Sequence, residues 1–379
     1  MRRTIFGEQH EDFRSAFRDF LDREAVPHIE SWEHAGTLPR EFWRTAGKLG
    51  FLGFEADEKY GGLGIRDFRF NAVIQEEVAD SGIANDGFAL HNDIVAPYLI
   101  DGTTDEQRAR WLPGFTSGET ITAIAMTEPH TGSDLAAIRT TAKVDGSSVT
   151  IDGAKTFITN GSIADLIVVL ARSEAGMSLV VVEEGTPGLS RGAPLRKAGR
   201  KGQDTAEVFF DRCVVPRENV LGELGQGLEL VKRNLARERL SIAVHAVASA
   251  RKALELALEH ALTRTSFGKP IARHQVVLHD LAQAHTDVQV VRSHVDACVA
   301  ALADGELSAE DAAGAKLAAT ELEGRVLDRA LQIFGGYGYM EEYPIARRWR
   351  DARVQRIYGG ANEIMREIVG RGLLANAKP

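Results

Sequence analysis

Hydrophobic residues recur at helical spacing in the first third of the chain. Phe13, Phe17 and Phe20 are separated by Glu, Asp and Arg, which is typical of an amphipathic helix with one buried face. The same spacing predicts further helices over about 39–50, 68–80, 86–100 and 104–112. Glycine-rich segments such as 60–64 interrupt the pattern. We therefore predict an N-terminal α-helical domain over residues 1–118.

The pattern changes in the next hundred residues. Short apolar runs rich in β-branched residues are separated by Gly, Asp and Asn, without helical stretches between them. These runs lie at 149–151, 166–170, 179–182 and 206–210. Strands so close together in sequence favour a mostly antiparallel sandwich or barrel. We predict a central β domain over residues 119–225.

Helical periodicity, now rich in alanine, returns in the last part of the chain. Long periodic stretches cover about 227–263, 275–303 and 308–334, and a shorter one follows Gly360. Glycine pairs and Asp-Gly sequences supply the stops between them. Three long helices and a short fourth predict an antiparallel four-helix bundle over residues 226–379. The predicted fold class is therefore α+β, in the order helical domain, β domain, helical bundle.

Composition narrows the class of protein. The 379 residues are 44% hydrophobic and 26% charged, which is ordinary for a globular protein. The net charge of −9 gives no bulk attraction to phosphate backbones, so we expect no nucleic-acid partner. The two cysteines, Cys213 and Cys298, have neither disulfide nor metal-site spacing. Because we see neither a secretory signal nor a membrane-spanning apolar run, we expect a cytoplasmic protein with no membrane partner.

Two segments of the β region are candidates for ligand binding. Segment 126–134 follows a predicted strand with hydroxyl residues and glycine, whose N–H and O–H groups suit a flavin edge or a phosphate. An ordinary Pro/Gly turn explains it equally well. In segment 155–161, Phe157 and nearby threonines offer a ring face and hydroxyls to a planar cofactor. The alternative there is a strand that ends in an Asn-Gly turn.

Three further candidates lie in the bundle region. Arg264, beside Thr265 and Ser266, suits a pyrophosphate, although a solvated helix C-terminus also favours arginine. The glycines of segments 332–341 and 357–364 let a backbone approach a ligand closely. Since no predicted strand precedes the first of these segments, its glycines do not indicate a Rossmann nucleotide site.

Taken together and in this order, these segments resemble the acyl-CoA dehydrogenase family. The resemblance lies in segments 59–64, 127–134, 203–210, 264–268, 332–351 and 357–364, and so spans nearly the whole chain. It implies an enzyme that uses FAD to oxidise an acyl-CoA thioester to the trans-2-enoyl-CoA. It also implies that electrons pass to an electron-transfer flavoprotein and that the chain forms a homotetramer, a dimer of dimers.

The resemblance also implies which residue is the catalytic base. Many family members carry a catalytic glutamate directly after the tyrosine that matches Tyr358, but Gly359 stands here. In the isovaleryl and long-chain types, the base is a glutamate on the first long bundle helix, in a Glu-Arg pair. Glu238-Arg239 has the matching distance from Phe267, so the implied base is Glu238. We expect Gly359 to leave room for its carboxylate.

Burial must raise the pKa of such a glutamate toward working pH. The alternative interpretation of Glu238 is an exposed helix residue paired with Lys232 or Arg233. Glu128, Glu341 and Glu342 are less convincing bases, because the resemblance implies a structural role for the first and the others lie in a charged stretch.

Other roles are implied by the family match alone. The implied FAD contacts are Met126, Thr127, Ser133, Phe157, Thr159, Arg264, Phe267, Gln275, Gln332, Gly336, Ala361 and Glu363. Of these, Arg264, Phe267, Gln332 and Gly336 reach FAD from a neighbouring subunit. The implied acyl-CoA contacts are Ser133, Leu235, Arg239 and Gly360. No metal ligand is implied.

Two other functions remain open at this level. The first keeps the fold but changes the chemistry, as in a flavin monooxygenase or a nitroalkane-oxidase-like enzyme. The second is a non-catalytic flavin- or nucleic-acid-binding relative, which the acidic balance disfavours. The length and branching of the acyl chain do not follow from these motifs.

Overall fold

Helices at both ends of the chain enclose a central β domain in the computed structural model, which describes residues 3–84 and 86–377. The N-terminal helices are α1 (Glu8–Glu24), α2 (Ile29–Ala35), α3 (Arg40–Lys48), α4 (Phe68–Ser81), α5 (Asp86–Phe88), α6 (Ala96–Asp101) and α7 (Asp105–Ser117). A π-helical stretch, Ala89–Val95, joins α5 to α6. Aromatic side chains such as Phe17, Phe42 and Phe88 contact one another in the core of this domain.

The central strands form one connected, mostly antiparallel sheet, as predicted. They are β1 (Thr122–Ala125), β2 (Thr141–Asp145), β3 (Ser148–Thr159), β4 (Leu166–Ser173), β5 (Gly176–Glu183), β6 (Leu189–Arg191), β7 (Thr205–Pro216) and β8 (Val220–Leu221). Their order is β6-β7-β3-β2-β4-β5-β8, and β1 lies parallel to β4. Ile151 and Val208 share a buried cluster with Val169 and Val180, so the two halves of the sheet pack face to face.

Long helices dominate the last third of the chain, as the alanine-rich periodicity predicts. They are α8 (Gly227–Thr263), α9 (Gln275–Ala303), α10 (Ala309–Phe334) and α12 (Asn362–Asn376), with the shorter α11 (Pro344–Ala352) between the last two. A small hairpin, β9 (Thr265–Ser266) and β10 (Lys269–Pro270), follows α8. Within the described residues, no helix is both long and apolar enough to cross a membrane.

Helix α8 connects the bundle to the N-terminal domain. Arg237 forms an ion pair with the buried Glu55, and Ser241 donates a hydrogen bond to the buried Asp93 of the π-helical stretch. Asn71 Nδ2 also donates to Asp93, at 2.7 Å. Because these contacts lie on either side of Glu238, they fix the helical turn that carries it.

Candidate active site

Glu238 lies in the first half of α8, and its side chain is half-buried. Among the described residues it forms no hydrogen bond and no ion pair, so the alternative of an exposed glutamate paired with Lys232 or Arg233 does not apply. Burial raises the pKa of Glu238 to about 7, although the positive charges of Arg239 and Lys316 favour the ionised form. A carboxylate with this pKa is able to accept a proton near neutral pH.

The turn between Tyr358 and α12 faces this carboxylate. Gly359 has a φ of 60°, in the left-handed region that favours glycine. A β-carbon added at Gly359 would lie 3.8 Å from Glu238 Oε1. Positions 238 and 359 therefore border the same small space. The same β-carbon would overlap Cδ1 of Ile242, which lies one turn after Glu238 and fills the space.

Three residues beside Glu238 did not emerge from the sequence. Ile242 lies on the same face of α8, and Tyr98 approaches from α6. Burial, and secondarily the charge of Glu238, raise the pKa of Tyr98. Lys316 of α10 is 0% exposed although it lies among alanines of a buried helical stripe. A lysine at such a position was a usable signal in the sequence, because a buried ammonium needs specific partners.

The candidate flavin segment is held against β3 by backbone and buried polar groups. Thr156 N donates a hydrogen bond to Thr127 O at 2.9 Å, and Lys155 Nζ donates to Met126 O at 3.0 Å. Glu128 is buried and accepts hydrogen bonds from the backbone N–H groups of Arg139 and Thr140. Although burial opposes its ionisation, the hydrogen bonds from Thr140, Arg139 and Lys155 hold the pKa of Glu128 at about 2. Glu128 is therefore unsuited to be a base.

Phe157 gives this surface the shape that a planar cofactor requires. It has a φ of 59°, which is uncommon for a non-glycine residue, and it is 68% exposed. The pairing of β3 with β7 shifts register between Lys155 and Ile158, which turns the Phe157 ring outward. Met126, Thr127 and Thr159 are half-buried beside it on the same two segments, and Ser133 is exposed. A strained, exposed aromatic among hydroxyl groups fits the isoalloxazine ring of FAD.

Three of the four predicted substrate contacts, Leu235, Arg239 and Gly360, lie on the bundle side of this site. Leu235 packs against the same hydrophobic cluster as Met126 and Tyr98. Arg239 is buried, and its Nε makes no hydrogen bond to any described residue. The carbonyl of Gly360 accepts a hydrogen bond from Lys316 Nζ at 2.8 Å, and Ala361 is the N-cap residue of α12. Glu363 is exposed, 3.5 Å from Arg366.

A second group of predicted cofactor residues lies at the far end of α8. Arg264 stacks on the ring of Tyr337 at 5.5 Å, next to Gly336, and Phe267 is 96% exposed at the tip of the β9–β10 hairpin. Gln275 and Gln332 are exposed at the same end of the bundle. At a rise of about 1.5 Å per residue, α8 separates Arg264 from Glu238 by roughly 40 Å. Within one chain, the two groups do not form a single site.

The described residues contain no cluster of His, Cys, Asp and Glu suited to a metal ion. The site described above combines a half-buried glutamate with a raised pKa, an exposed aromatic ring and a hydroxyl-rich turn.

Comparison with known proteins identifies the family. The chain matches three domain descriptions over most of its length: Acyl-CoA dehydrogenase, N-terminal domain, at residues 7–119; middle domain at residues 123–213; and C-terminal domain at residues 225–374. The chain therefore belongs to the acyl-CoA dehydrogenase family. The predicted family, fold class and enzyme class are confirmed.

Individual relatives include two of the types that share the Glu238 pattern. The long-chain specific acyl-CoA dehydrogenase of Rattus norvegicus mitochondria is 43% identical over 99% of this chain and 89% of its own length. The isovaleryl-CoA dehydrogenase of Solanum tuberosum mitochondria is 33% identical over 97% of this chain and 91% of its own length.

Solved structures give the same result. An acyl-CoA dehydrogenase from Geobacillus kaustophilus superposes with a TM-score of 0.95 at 46% identity, covering 97% of this chain and 98% of its own. An acyl-CoA dehydrogenase from Bacillus anthracis complexed with FAD has a TM-score of 0.88 at 30% identity, covering 100% of this chain and 70% of its own.

The raised pKa of Glu238 predicts how the stability of the folded protein depends on pH. Its folded-state pKa of about 7 lies above the ordinary value of about 4.3, so the folded protein binds the additional proton and loses stability as pH rises between these values. Glu238→Gln removes the carboxyl and with it this loss of stability. The thermal midpoint of the variant should therefore rise relative to wild type between about pH 5 and pH 8.

The measurement is thermal unfolding of both proteins at several pH values in this range. Asp93 and Glu323 also have raised pKa values and contribute to the pH dependence of both proteins. The quantity to compare is therefore the difference in thermal midpoint between wild type and Glu238→Gln at each pH. Glu229→Gln, an exposed substitution on the same helix, is the control. A pH-independent difference between wild type and Glu238→Gln would contradict the assigned pKa.

Proposed function

We propose that Glu238 is the base with which this FAD-dependent acyl-CoA dehydrogenase removes the α-proton of its thioester substrate. The observation that supports the assignment most directly is the 3.8 Å between Glu238 Oε1 and the β-carbon position of Gly359. By the family resemblance, a glutamate at either position reaches the same α-carbon. A carboxylate is present here from one of these positions only, because Gly359 has no side chain.

The protein groups around Glu238 suit proton abstraction. Burial raises the pKa of the Glu238 carboxyl to about 7. The carboxyl is therefore partly ionised near neutral pH and is basic enough to accept a proton. Leu235, Met126 and Tyr98 belong to or pack against one hydrophobic cluster, which keeps water from the reacting carbons. FAD, when bound, supplies the acceptor for the β-hydrogen as hydride.

The residues near Phe157 are proposed to hold that cofactor. Thr127, Ser133 and Thr159 offer hydroxyl groups on the surface that carries the exposed Phe157 ring. Met126, Ala361 and Glu363 are further proposed contacts, and Ser133, Leu235, Arg239 and Gly360 are proposed to contact acyl-CoA. The proposed substrates are acyl-CoA thioesters with a long or a branched acyl chain, because the relatives include a long-chain specific acyl-CoA dehydrogenase and an isovaleryl-CoA dehydrogenase.

We propose that the functional protein is a homotetramer, built as a dimer of dimers. The supporting observation is the second group of residues at the far end of α8: a hairpin that holds the Phe267 ring 96% exposed and an arginine stacked on Tyr337. A large apolar ring with this exposure is costly in a monomer and suits a contact with a neighbouring chain. Arg264, Phe267, Gln275, Gln332 and Gly336 would then complete the neighbour's FAD site. An electron-transfer flavoprotein is the proposed acceptor of the electrons.

The first prediction concerns the base. Glu238→Gln should retain FAD and bind acyl-CoA, but reduction of the flavin should slow by at least ~10²–10⁴-fold, because an amide does not accept the α-proton. Anaerobic bleaching of the flavin with a panel of acyl-CoA thioesters measures this rate. Glu229→Gln should react like wild type. Undiminished reduction in Glu238→Gln would show that another group is the base.

A second prediction tests whether Glu238 and position 359 share one volume. Glu238→Ala should be nearly inactive, and Gly359→Glu added to it should recover little, because the new side chain overlaps Ile242. Ile242→Ala as a third change should recover part of the flavin reduction. Recovery should stay incomplete, since left-handed backbone at position 359 costs a glutamate ~1–3 kcal/mol.

The rate of anaerobic flavin reduction is compared among the single, double and triple variants after each is shown to hold FAD. Ile242→Ala alone is the control for changes in acyl-chain binding. If the triple variant binds flavin and substrate normally but is as inactive as Glu238→Ala, the two positions do not reach the same α-carbon.

A third prediction concerns the neighbouring chain. Arg264→Ala should weaken both FAD retention and subunit assembly, by removing a charge-assisted contact worth ~1.5–3 kcal/mol. FAD content after gel filtration, with light scattering for the oligomer size, measures both. Arg273→Ala removes an exposed arginine close in sequence and should change neither. Normal FAD retention by an intact assembly of the Arg264→Ala protein would argue against the shared site.

A further inference from the structure

Lys316 lies in the interior of the bundle, and no described residue forms an ion pair with it. Its side chain is 0% exposed, and Nζ donates hydrogen bonds to Gly360 O at 2.8 Å and to Asn362 Oδ1 at 2.9 Å. Among the described residues, no carboxylate oxygen lies within 4.0 Å of Lys316 Nζ, the distance of an ion pair. A buried cation that is solvated only by neutral oxygens is costly, so a function must account for it.

The two hydrogen bonds place Lys316 behind the turn that faces the base. Gly360 follows Gly359 directly, and the β-carbon position of Gly359 is 3.8 Å from Glu238 Oε1. Both glycines have left-handed φ angles, 60° and 91°, so the turn has no side chain of its own to pack toward α10. The lysine therefore supplies the polar contact that fixes this turn.

Further hydrogen bonds around Asn362 reinforce the same turn. Thr320, one helical turn after Lys316, lies 3.2 Å from Asn362 Oδ1 and 3.0 Å from Asn362 Nδ2. Asn362 Nδ2 also donates to Glu321 Oε1 at 2.9 Å. The turn is thus anchored to α10 by groups other than the charge of Lys316.

We propose that Lys316 is a positioning residue for the base, which holds the Gly359–Gly360 turn opposite Glu238 and keeps the Glu238 carboxylate ionised by its positive charge. This inference rests on the proposed role of Glu238 and adds a second residue to it. Arg239 of α8 and Lys316 of α10 are the two cations that favour the ionised form of Glu238, and Tyr98 of α6 also lies near it. Burial, and secondarily the charge of Arg239, lower the pKa of Lys316 to about 8, while the charges of Glu363, Glu321 and Glu238 raise it. Lys316 is therefore mostly protonated at neutral pH.

The direction of the effect is fixed by charge. The base acts when it is ionised, so flavin reduction rises with pH through the pKa of Glu238. Removal of a nearby positive charge raises that pKa. Lys316→Met should move the pH midpoint of anaerobic flavin reduction upward by about one unit, which makes the rate roughly tenfold lower at a pH below both midpoints. Lys316→Arg, which keeps the charge, should keep the midpoint.

Thr320→Val is the matched control. Thr320 is buried, contacts the same Asn362 and carries no charge, so its loss should lower thermal stability and leave the pH midpoint in place. If Lys316→Met lowers the rate equally at every pH, or changes nothing, the proposal is wrong and Lys316 has only a structural role. Should Lys316→Met not retain FAD, Lys316→Gln, which keeps an N–H donor for the Gly360 carbonyl, is measured instead and must give the same shift.

A measurement without turnover separates this inference from the proposed function. Glu238→Gln is introduced into wild type and into Lys316→Met, and the four proteins are unfolded thermally near pH 7.5. The glutamine should raise the thermal midpoint more in the Lys316→Met background, where the carboxylate has lost a compensating charge. Equal gains in both backgrounds would overturn the proposal. If no acyl-CoA reduces the flavin of wild type, the proposed function fails while this cycle still tests Lys316.

Discussion

The site depends on keeping the Glu238 carboxyl out of water without giving it a hydrogen-bond or ion-pair partner. Within the described part of the chain it has neither, and burial raises its pKa to about 7. A fully paired carboxylate would resemble Glu128, whose hydrogen bonds hold its pKa at about 2 and leave it inert as a base. The two glutamates thus have pKa values shifted in opposite directions, because Glu128 has hydrogen-bond and ion-pair partners and Glu238, among the described residues, has none.

A carboxylate shielded from water without a partner costs free energy, so contacts of the neighbouring residues must hold Glu238 in place. Arg237 and Ser241, on either side of Glu238, are tied to Glu55 and Asp93 of the N-terminal domain. On the bundle side, Lys316 holds the Gly359–Gly360 turn by its carbonyl. Glu238, the proposed base, therefore lies on a long helix where three parts of the chain meet.

Glycine in place of glutamate at position 359 changes the packing of the site as well as its chemistry. Ile242 occupies the space that a side chain at Gly359 would need, so the base cannot be present at both positions without rearrangement. The left-handed backbone at Gly359 adds a second barrier. A glutamate at position 359 would therefore need the end of the Ile242 side chain to move and would hold a strained backbone.

The sequence by itself determined the order of helical and β regions, because periodicity of 3.6 or 2 residues reports which face of each element is buried. Its motifs also determined the family and singled out Glu238, since Gly359 removed the commoner base. Only the tertiary structure decided that Ile242 fills the space at Gly359 and that the buried Lys316 contacts Gly360. It also separated Arg264 from Glu238 by the length of α8. These are contacts between elements far apart in sequence, and no local pattern of residues encodes a distance between two helices.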